Sequence, residues 1–380
     1  MPWKGETLES IRYNFILATQ NDRVTFSDLC KAYGISRKTG YKWLLRFSEG
    51  GREALTDVVR APFSRPRDVS QKNRNSIIDI AYSYPRWGAI KLKRILENEH
   101  PDIDWPSVTT FGNILKKEGL TKRRRIRYKM AKTTPVQDVS ECNGTWCADF
   151  KGWWVTNDRK ICEPFTVTDL HSRFILGCEL VKNRKFQSVW KILEGIFYEF
   201  GMPDRFRTDN GSPYASNAVG RLSRMAVKLI RLGVTPEWIT PGKPQENGIH
   251  ERMHRTLKLE AATPPSNTRG EQIEVLNNFR DVFNFKRPHE ALDLNTPSDI
   301  YVPSKKLWTG EESDPTYGEG YEERRVDSKG SFRWRGSSFF LTEILQKEKL
   351  GIKESAANIF EVSYSTVVLG HIKDKKFVRA

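Results

Sequence analysis

Residues Thr145–Val155, TWCADFKGWWV, place β-branched and aromatic residues around a single carboxylate, Asp149. A lone aspartate in an apolar strand is unfavourable unless it is paired or bound to a metal. The stretch therefore predicts a buried strand that carries a functional acid. Downstream, Asp204–Thr208 reads as a short strand running directly into Asp209-Asn210-Gly211-Ser212. That puts a second carboxylate at the C-terminal edge of a strand, where open α/β sheets place their sites. By itself Asp-Asn-Gly is also an ordinary turn. Further strands are predicted at Pro164–Asp169 and Arg173–Leu180. A helix is predicted over Phe186–Phe200, with Val189, Ile192, Leu193, Ile196 and Phe197 on one face and Gly201-Met202-Pro203 as its stop. The middle of the chain is thus α/β.

Thr240–Lys258, TPGKPQENGIHERMHRTLK, supplies a third acid. Pro241, Gly242 and Pro244 form a loop, and a helix begins near Asn247 with Glu251 on its first turn or so. Arg252, Arg255 and Lys258 lie on nearby turns. One acid among several bases suits a site that binds a metal through Glu251 and a DNA end through Arg255 and Lys258. His250 and His254 flank Glu251 and read as packing or DNA contacts in preference to metal ligands.

Composition points to a polyanionic partner. The 380 residues hold 63 Lys and Arg against 47 Asp and Glu, a net charge of +16, and nucleic acid is the commonest partner for such a charge. Residues 1–134 carry 27 of the bases and 14 of the acids, leaving 36 against 33 for the other 246 residues. The front supplies the electrostatic footprint, and the middle can hold an acidic site. Five scattered cysteines do not suggest a disulfide framework or a zinc site. No apolar run suggests a membrane span and no signal peptide is evident, so a reduced, soluble, cytoplasmic protein is expected, nucleoid-associated when bound to DNA.

Thr25–Phe47 reads as a helix-turn-helix. A short helix ends near Ala32, Gly34 makes the turn, Ile35 plugs it, and Ser36 caps the second helix. Tyr41, Leu44, Leu45 and Phe47 would form the apolar face of that helix. Arg37, Lys38, Thr39 and Lys42 would face the major groove. Gly40 inside it weakens the helix. A second such unit is predicted from Asn73–Tyr82, Ile90–Leu96 and a helix capped by Ser107 running to Lys117, closed by Gly119. Ser48–Lys72 between the units reads as a linker. The run Lys122–Lys129, which includes Arg123, Arg124, Arg125 and Arg127, reads as a basic tether lying along phosphates.

Taken in order, an Asp in a strand, Asp-Asn-Gly, and Pro-Gln-x-x-Gly-x-x-Glu resemble the DDE transposases and retroviral integrases, which share an RNase H-like fold. The closer resemblance is to bacterial insertion-sequence transposases with a helix-turn-helix front. It is carried by Trp87-Gly88-Ala89, Asp149-Phe150-Lys151-Gly152, Arg207–Gly211, Pro241–Lys258 and Asn284–Leu292. It implies that Asp149, Asp209 and Glu251 are the catalytic triad and hold two divalent ions, Mg²⁺ with Mn²⁺ as a substitute. Glu246 is the competitor for the third acid, but the motif's Glu follows its Gly by three positions, which selects Glu251. Asp169, which lacks the aromatic and glycine context of Asp149, reads as structural. The gap of 42 positions from Asp209 to Glu251 exceeds that of retroviral integrases, and the surplus is expected in Ala218–Leu232.

The implied protein is a DNA transposase that binds the terminal inverted repeats of a mobile element, nicks DNA there and joins the 3′-hydroxyl to target DNA. It would work as a homo-oligomer on double-stranded DNA. The implied layout is multidomain: a helix-turn-helix domain at 1–60, a second at 70–121, a basic linker at 122–135, an α/β RNase H-like integrase core with a following helix at 136–300, and a small C-terminal β-barrel at 315–380. Alternating runs such as Phe332–Arg335 and Val367–Ile372 suggest the barrel, which would bind DNA or a partner protomer. Zinc plays no part in this front end. A catalytically silent, DNA-binding descendant acting as a regulator is the alternative, and the intact acids argue against it. An RNase H-like nuclease acting on hybrids or junctions would not need the sequence-reading front.

Overall fold

Thr25 and Ser36 start two helices by the same device, a side-chain oxygen accepting the backbone N–H three residues on, from Asp28 at 3.3 Å and from Thr39 at 3.2 Å. The computed structural model describes residues 7–21, 23–57, 69–121, 139–240 and 244–380. They fall into two units, Met1–Val69 and Ser70–Ala380. The basic run with Arg123, Arg124, Arg125 and Arg127, and the loop 241–243, lie outside the described residues.

In the first unit α1 (Leu8–Ala18), α2 (Phe26–Ala32) and α3 (Arg37–Gly50) enclose Phe15, Ile16, Leu29, Cys30, Trp43 and Leu55. Gly34, at φ 65°, makes the turn between α2 and α3. The phase of α3 differs from expectation. Gly40 and Trp43 face the core, whereas Tyr41 and Leu45 are 61% and 59% exposed. Gly40 explains the shift. A Cβ there would come within 2.8 Å of Cys30 Sγ and 2.9 Å of Phe26 Cζ, so the missing side chain lets α2 and α3 cross closely. The expected linker also starts later, because the short 3₁₀ turn Gly51–Leu55 seals the unit with Leu55 fully buried.

The second unit opens with three helices, α4 (Gln71–Ser83), α5 (Ala89–Glu99) and α6 (Val108–Lys117). They bury Ile77, Leu92, Ile95, Leu96, Phe111, Ile114 and Leu115. The α/β core follows. Its strands are β1 (Thr145–Phe150), β4 (Pro164–Asp169), β5 (Ile175–Leu180), β6 (Arg205–Thr208) and β7 (Thr235–Trp238), with a small β2–β3 ribbon (Trp154–Val155, Ile161–Cys162). The sheet order is β5-β4-β1-β6-β7. β1, β4 and β5 are antiparallel neighbours, and β6 and β7 run parallel to β1.

Alternation along β1 sorts its residues between two layers. Trp146, Ala148 and Phe150 pack with Val189, Leu193 and Phe197 of α7 (Phe186–Phe200) and with Met225 and Leu229 of α8 (Arg224–Arg231). On the other side α9 (Gly248–Ala261) and α10 (Arg269–Phe285) bring Met253, Leu257, Leu276, Phe279 and Phe283 against Ile175 and Cys178. Asp169 is buried and fully engaged, accepting N–H groups of Asn143 and Ser172 and the Ser172 hydroxyl. α11 (Pro297–Ile300) ends the core. All five cysteines are free thiols.

The tail forms two sheets. β8 (Glu322–Arg325), β11 (Lys349–Ala356), β12 (Ile359–Tyr364), β13 (Val367–Lys373) and β14 (Lys376–Arg379) make one, and β9 (Ser331–Trp334) and β10 (Ser337–Phe340) the other. Hydrogen bonding does not close them into the expected barrel among the described residues. The reason is visible in the packing: Val219, Leu222, Ala226, Val227 and Ile230, on and before α8, share one core with Leu350, Val362, Tyr364 and Leu369. The apolar face is covered by α8, so burial does not depend on closure. Gly220, at φ 63°, permits the approach, since a Cβ would lie 2.9 Å from both Leu369 Cδ2 and Val367 Cγ1. No helix among the described residues is long and apolar enough to cross a membrane.

Replacing Gly40 with Val will overpack the α2–α3 crossing and cost about 1–3 kcal/mol. Differential scanning calorimetry of the chain will show this as a lowered transition for the first unit.

Candidate active site

Parallel pairing of β1 with β6 puts Ala148 opposite Thr208, so Asp149, next to last in β1, stands beside Asp209, the residue that follows β6. Asp149 Oδ1 accepts the Phe150 N–H at 2.7 Å, and Asp209 Oδ1 accepts the Gly211 N–H at 3.0 Å. Burial, and then the charge of Asp209, push the Asp149 carboxyl up to about 7. Lys151 and Arg184 act against this shift.

The face of β1 that carries Asp149 also carries Cys147. Their β4 partners are Thr166 and Thr168. These four residues form a polar strip under α9. Cys147 Sγ donates to Asn247 Oδ1 at 2.8 Å. Thr166 Oγ1 lies 2.8 Å from His250 Nε2, 2.7 Å from His254 Nε2, and 3.1 Å from the Asp149 carbonyl, to which it donates. Thr168 Oγ1 lies 2.8 Å from His250 Nδ1. With the single Thr166 hydrogen on the carbonyl, both Nε2 atoms must donate, which leaves Nδ1 as the acceptor on each ring. Both rings are neutral, held down by burial to about 3 for His250 and about 2 for His254. The two histidines are therefore packing groups. The Nδ1 of His254 faces Asp149 Oδ2 at 3.6 Å.

This strip sets the rotation of α9. With His250, Met253, His254 and Leu257 turned inward, Glu251 is exposed on the first turn, and Arg255 and Lys258 are exposed further along. The structure thus brings Asp149 and Asp209 together and leaves Glu251 at the rim. Among the described residues no group of three His, Cys, Asp or Glu side chains converges as a metal site. Glu246 Oε2 accepts the Thr240 N–H at 2.7 Å.

Two cations near the acids were missed from sequence. Lys151 senses Lys258 across the site, and Arg184, paired with Glu163, lies 4.8 Å from the Phe150 ring and feels both aspartates. The signal for Lys151 was its place two residues beyond Asp149; for Arg184 there was none. On α3, Arg37, Lys38 and Lys42 are exposed, whereas Thr39 is half-buried and shares a 2.9 Å hydrogen bond with the Ser36 cap.

Residues 140–244 and 232–297 match family models described as integrase core domain. The chain carries an integrase core. In front of that integrase core, residues 6–56 and 39–115 match models of a homeodomain-like domain. A 31.7 kDa protein of insertion element IS407 from Burkholderia multivorans is 23% identical over 227 residues, 59% of this chain and 78% of that protein. The transposase for insertion sequence element IS904 of Lactococcus lactis is 24% identical over 231 residues, 57% of this chain and 87% of its own length. The Pol polyprotein of radiation murine leukemia virus is 41% identical over 68 residues, which are 18% of this chain and 11% of the polyprotein. Among solved structures, the catalytic core domain of BIV integrase aligns at a TM-score of 0.32 and 20% identity, over 42% of this chain and 93% of that one. The HTLV-2 integrase catalytic core, solved with magnesium, aligns at 0.35 and 14%, over 43% and 99%. The α/β part matches integrase core domains, and in sequence the chain resembles insertion-sequence transposases.

The raised pKa of Asp149 has a stability consequence. Between about pH 4, where a free aspartate titrates, and about 7, where this one does, the folded state binds more protons than the unfolded state. Stability conferred by the protonated carboxyl is therefore full below pH 4 and lost as pH rises through 7. Asp149→Asn will be more stable than the parent at pH 8 by on the order of 1–3 kcal/mol, and the gap will close near pH 4. Urea denaturation in chelator-containing buffer at the two pH values measures it.

Proposed function

We propose that this chain is a DNA transposase that binds the ends of a mobile element, nicks DNA there and joins the freed 3′-hydroxyl to target DNA. The observation that carries this reading is the Asp149–Asp209 pair at the ends of adjacent parallel strands, inside a stretch that matches integrase cores. Two carboxyl groups side by side, one with its proton held by burial and by the other's charge, are a donor set that a hard dication would relieve. The donors are oxygen, which suits Mg²⁺, or Mn²⁺ in its stead. Asp149, Asp209 and Glu251 are assigned to hold the ions, whose chemistry when bound is to activate the attacking oxygen and stabilise the leaving one. Glu251 is one turn before His254, whose ring faces Asp149.

The other residues bind and orient DNA. Lys151, Arg184, Arg255 and Lys258 ring the acids and are assigned to the phosphates beside the scissile bond. Arg37, Lys38 and Lys42 on α3 are assigned to the element end, with Thr39 holding the start of that helix. Arg123, Arg124, Arg125 and Arg127 give affinity without sequence preference. In this scheme 1–60 and 70–121 are the reading domains, 136–300 performs the chemistry, and 315–380 is bound to it through α8. Because both element ends must be handled together, the working form is a homo-oligomer on DNA.

Duplexes bearing the inverted repeats that flank the gene, incubated with the protein and Mg²⁺, test the scheme. Asp149→Asn, Asp209→Asn and Glu251→Gln will each lower nicking and joining by roughly 10²- to 10³-fold, the equivalent of several kcal/mol, with end binding nearly unchanged in gel shifts. Specific binding without cutting by the parent protein would instead favour the silent regulator. Arg37→Ala and Lys38→Ala will each weaken end binding by about 1–3 kcal/mol while leaving the affinity for unrelated DNA closer to the parent's.

A further inference from the structure

On the flank of α9 away from Glu251 and His254, a pocket of about 70 Å³ opens between α5, α9 and the turn after α10. Its polar lining includes Lys91, Thr168, Arg173, Arg252 and His289. The space is several times the roughly 10–15 Å³ that one water requires. Three of these groups are cations, and none of the three makes a side-chain hydrogen bond or ion pair among the described residues. Arg173 has another cation, Arg252, as its charged neighbour. Lys91 faces Arg287 and Arg173, with Glu290 and Glu260 as the acids within reach. Glu260 is already taken by Arg287 at 2.6 Å.

His289 adds an independent sign. It is 7% exposed and its Nε2 has no hydrogen-bond partner among the described residues, while a ring N–H is bonded to the Phe283 backbone. A buried imidazole nitrogen without a partner is costly. It sits here in a pocket that also holds three positive side chains, Lys91, Arg173 and Arg252.

We propose that this pocket binds a phosphate group, with Lys91, Arg173 and Arg252 as its cationic ligands. One anion offsets the repulsion among the three cations, and with it in place His289 takes up a proton from solvent and donates through Nε2. Burial and the neighbouring cations hold that ring down to about 3, and burial with Arg287 holds Lys91 down to about 8; an anion reverses the cationic part of both effects. The phosphate comes either from a DNA backbone passing from α5 onto the core or from free inorganic phosphate. Only the DNA source rests on the transposase reading.

Two arms on the full chain separate these sources. In the first, inorganic phosphate is titrated at fixed ionic strength and thermal unfolding is followed. In the second, a short duplex is added and acetylation of Lys91 by an amine reagent is read by mass spectrometry. A melting temperature that climbs with phosphate, without duplex protection of Lys91, identifies free phosphate. Protection by duplex, without a phosphate response, identifies the DNA backbone. In either case Arg173→Gln weakens the response by about tenfold or more, the equivalent of about 1.4 kcal/mol, and by itself raises the melting temperature of the phosphate-free protein. Arg252→Gln, at an exposed position, gives the same weakening and serves if the half-buried Arg173 variant fails to fold. No response in either arm, or variants that respond like the parent, overturns the proposal. Neither readout needs strand cleavage, so a protein that fails to cut DNA still tests the pocket.

Discussion

Two strands running in the same direction, β1 and β6, pair with Ala148 opposite Thr208, so Asp149 near the end of β1 and Asp209 just after β6 come side by side. This pairing is the constraint on which the core depends. It sets two carboxyl groups side by side in a partly buried place, where burial and the charge of Asp209 make the ionisation of Asp149 harder. The neighbourhood is arranged around that tension. Backbone N–H groups hold one oxygen of each carboxylate, and the bases stand at the rim. The covering helix presents two neutral imidazoles to the strip instead of charges.

α9 is the element through which this arrangement is transmitted. Its inner face is fastened by hydrogen bonds to Cys147, Thr166 and Thr168, groups with few alternative partners once buried. One flank then looks onto the acids and the other onto the cationic pocket by α5. A small rotation of this one helix would alter both, and the strip of threonines opposes it.

Much of this layout is legible in the chain because it obeys short-range rules. Period-two alternation exposes β1 and β4, Pro203 and Gly201 mark the stop before β6, and Ser36 and Ser107 mark helix starts. What is not legible depends on partners distant in sequence. Gly40 reads as a weak point in a helix until Cys30 and Phe26 are found against it. The exposure of Glu251 follows from the phase that Thr166 and Thr168 impose on α9, more than eighty residues away. The open tail follows from α8 lying on its apolar face, which no alternation within the tail could reveal. The pocket draws residues from α5, β4, the turn after it, α9 and the turn after α10, so only the fold collects them.

Arg231, near the end of α8, reaches Glu312 at 2.8 Å and Glu348 at 3.0 Å, and Glu348 in turn accepts the Tyr364 hydroxyl at 2.6 Å. The stretch from Val219 to Arg231 is therefore also the floor of the tail domain. Anyone cutting this protein down to a minimal catalytic fragment meets the consequence at once. A boundary drawn after Ile300 would strip the cover from Val219, Leu222, Ala226, Val227 and Ile230 and leave Arg231 without its acids. Such a fragment would be sticky for reasons unrelated to its chemistry, and those five side chains would have to be made polar before it could be handled alone.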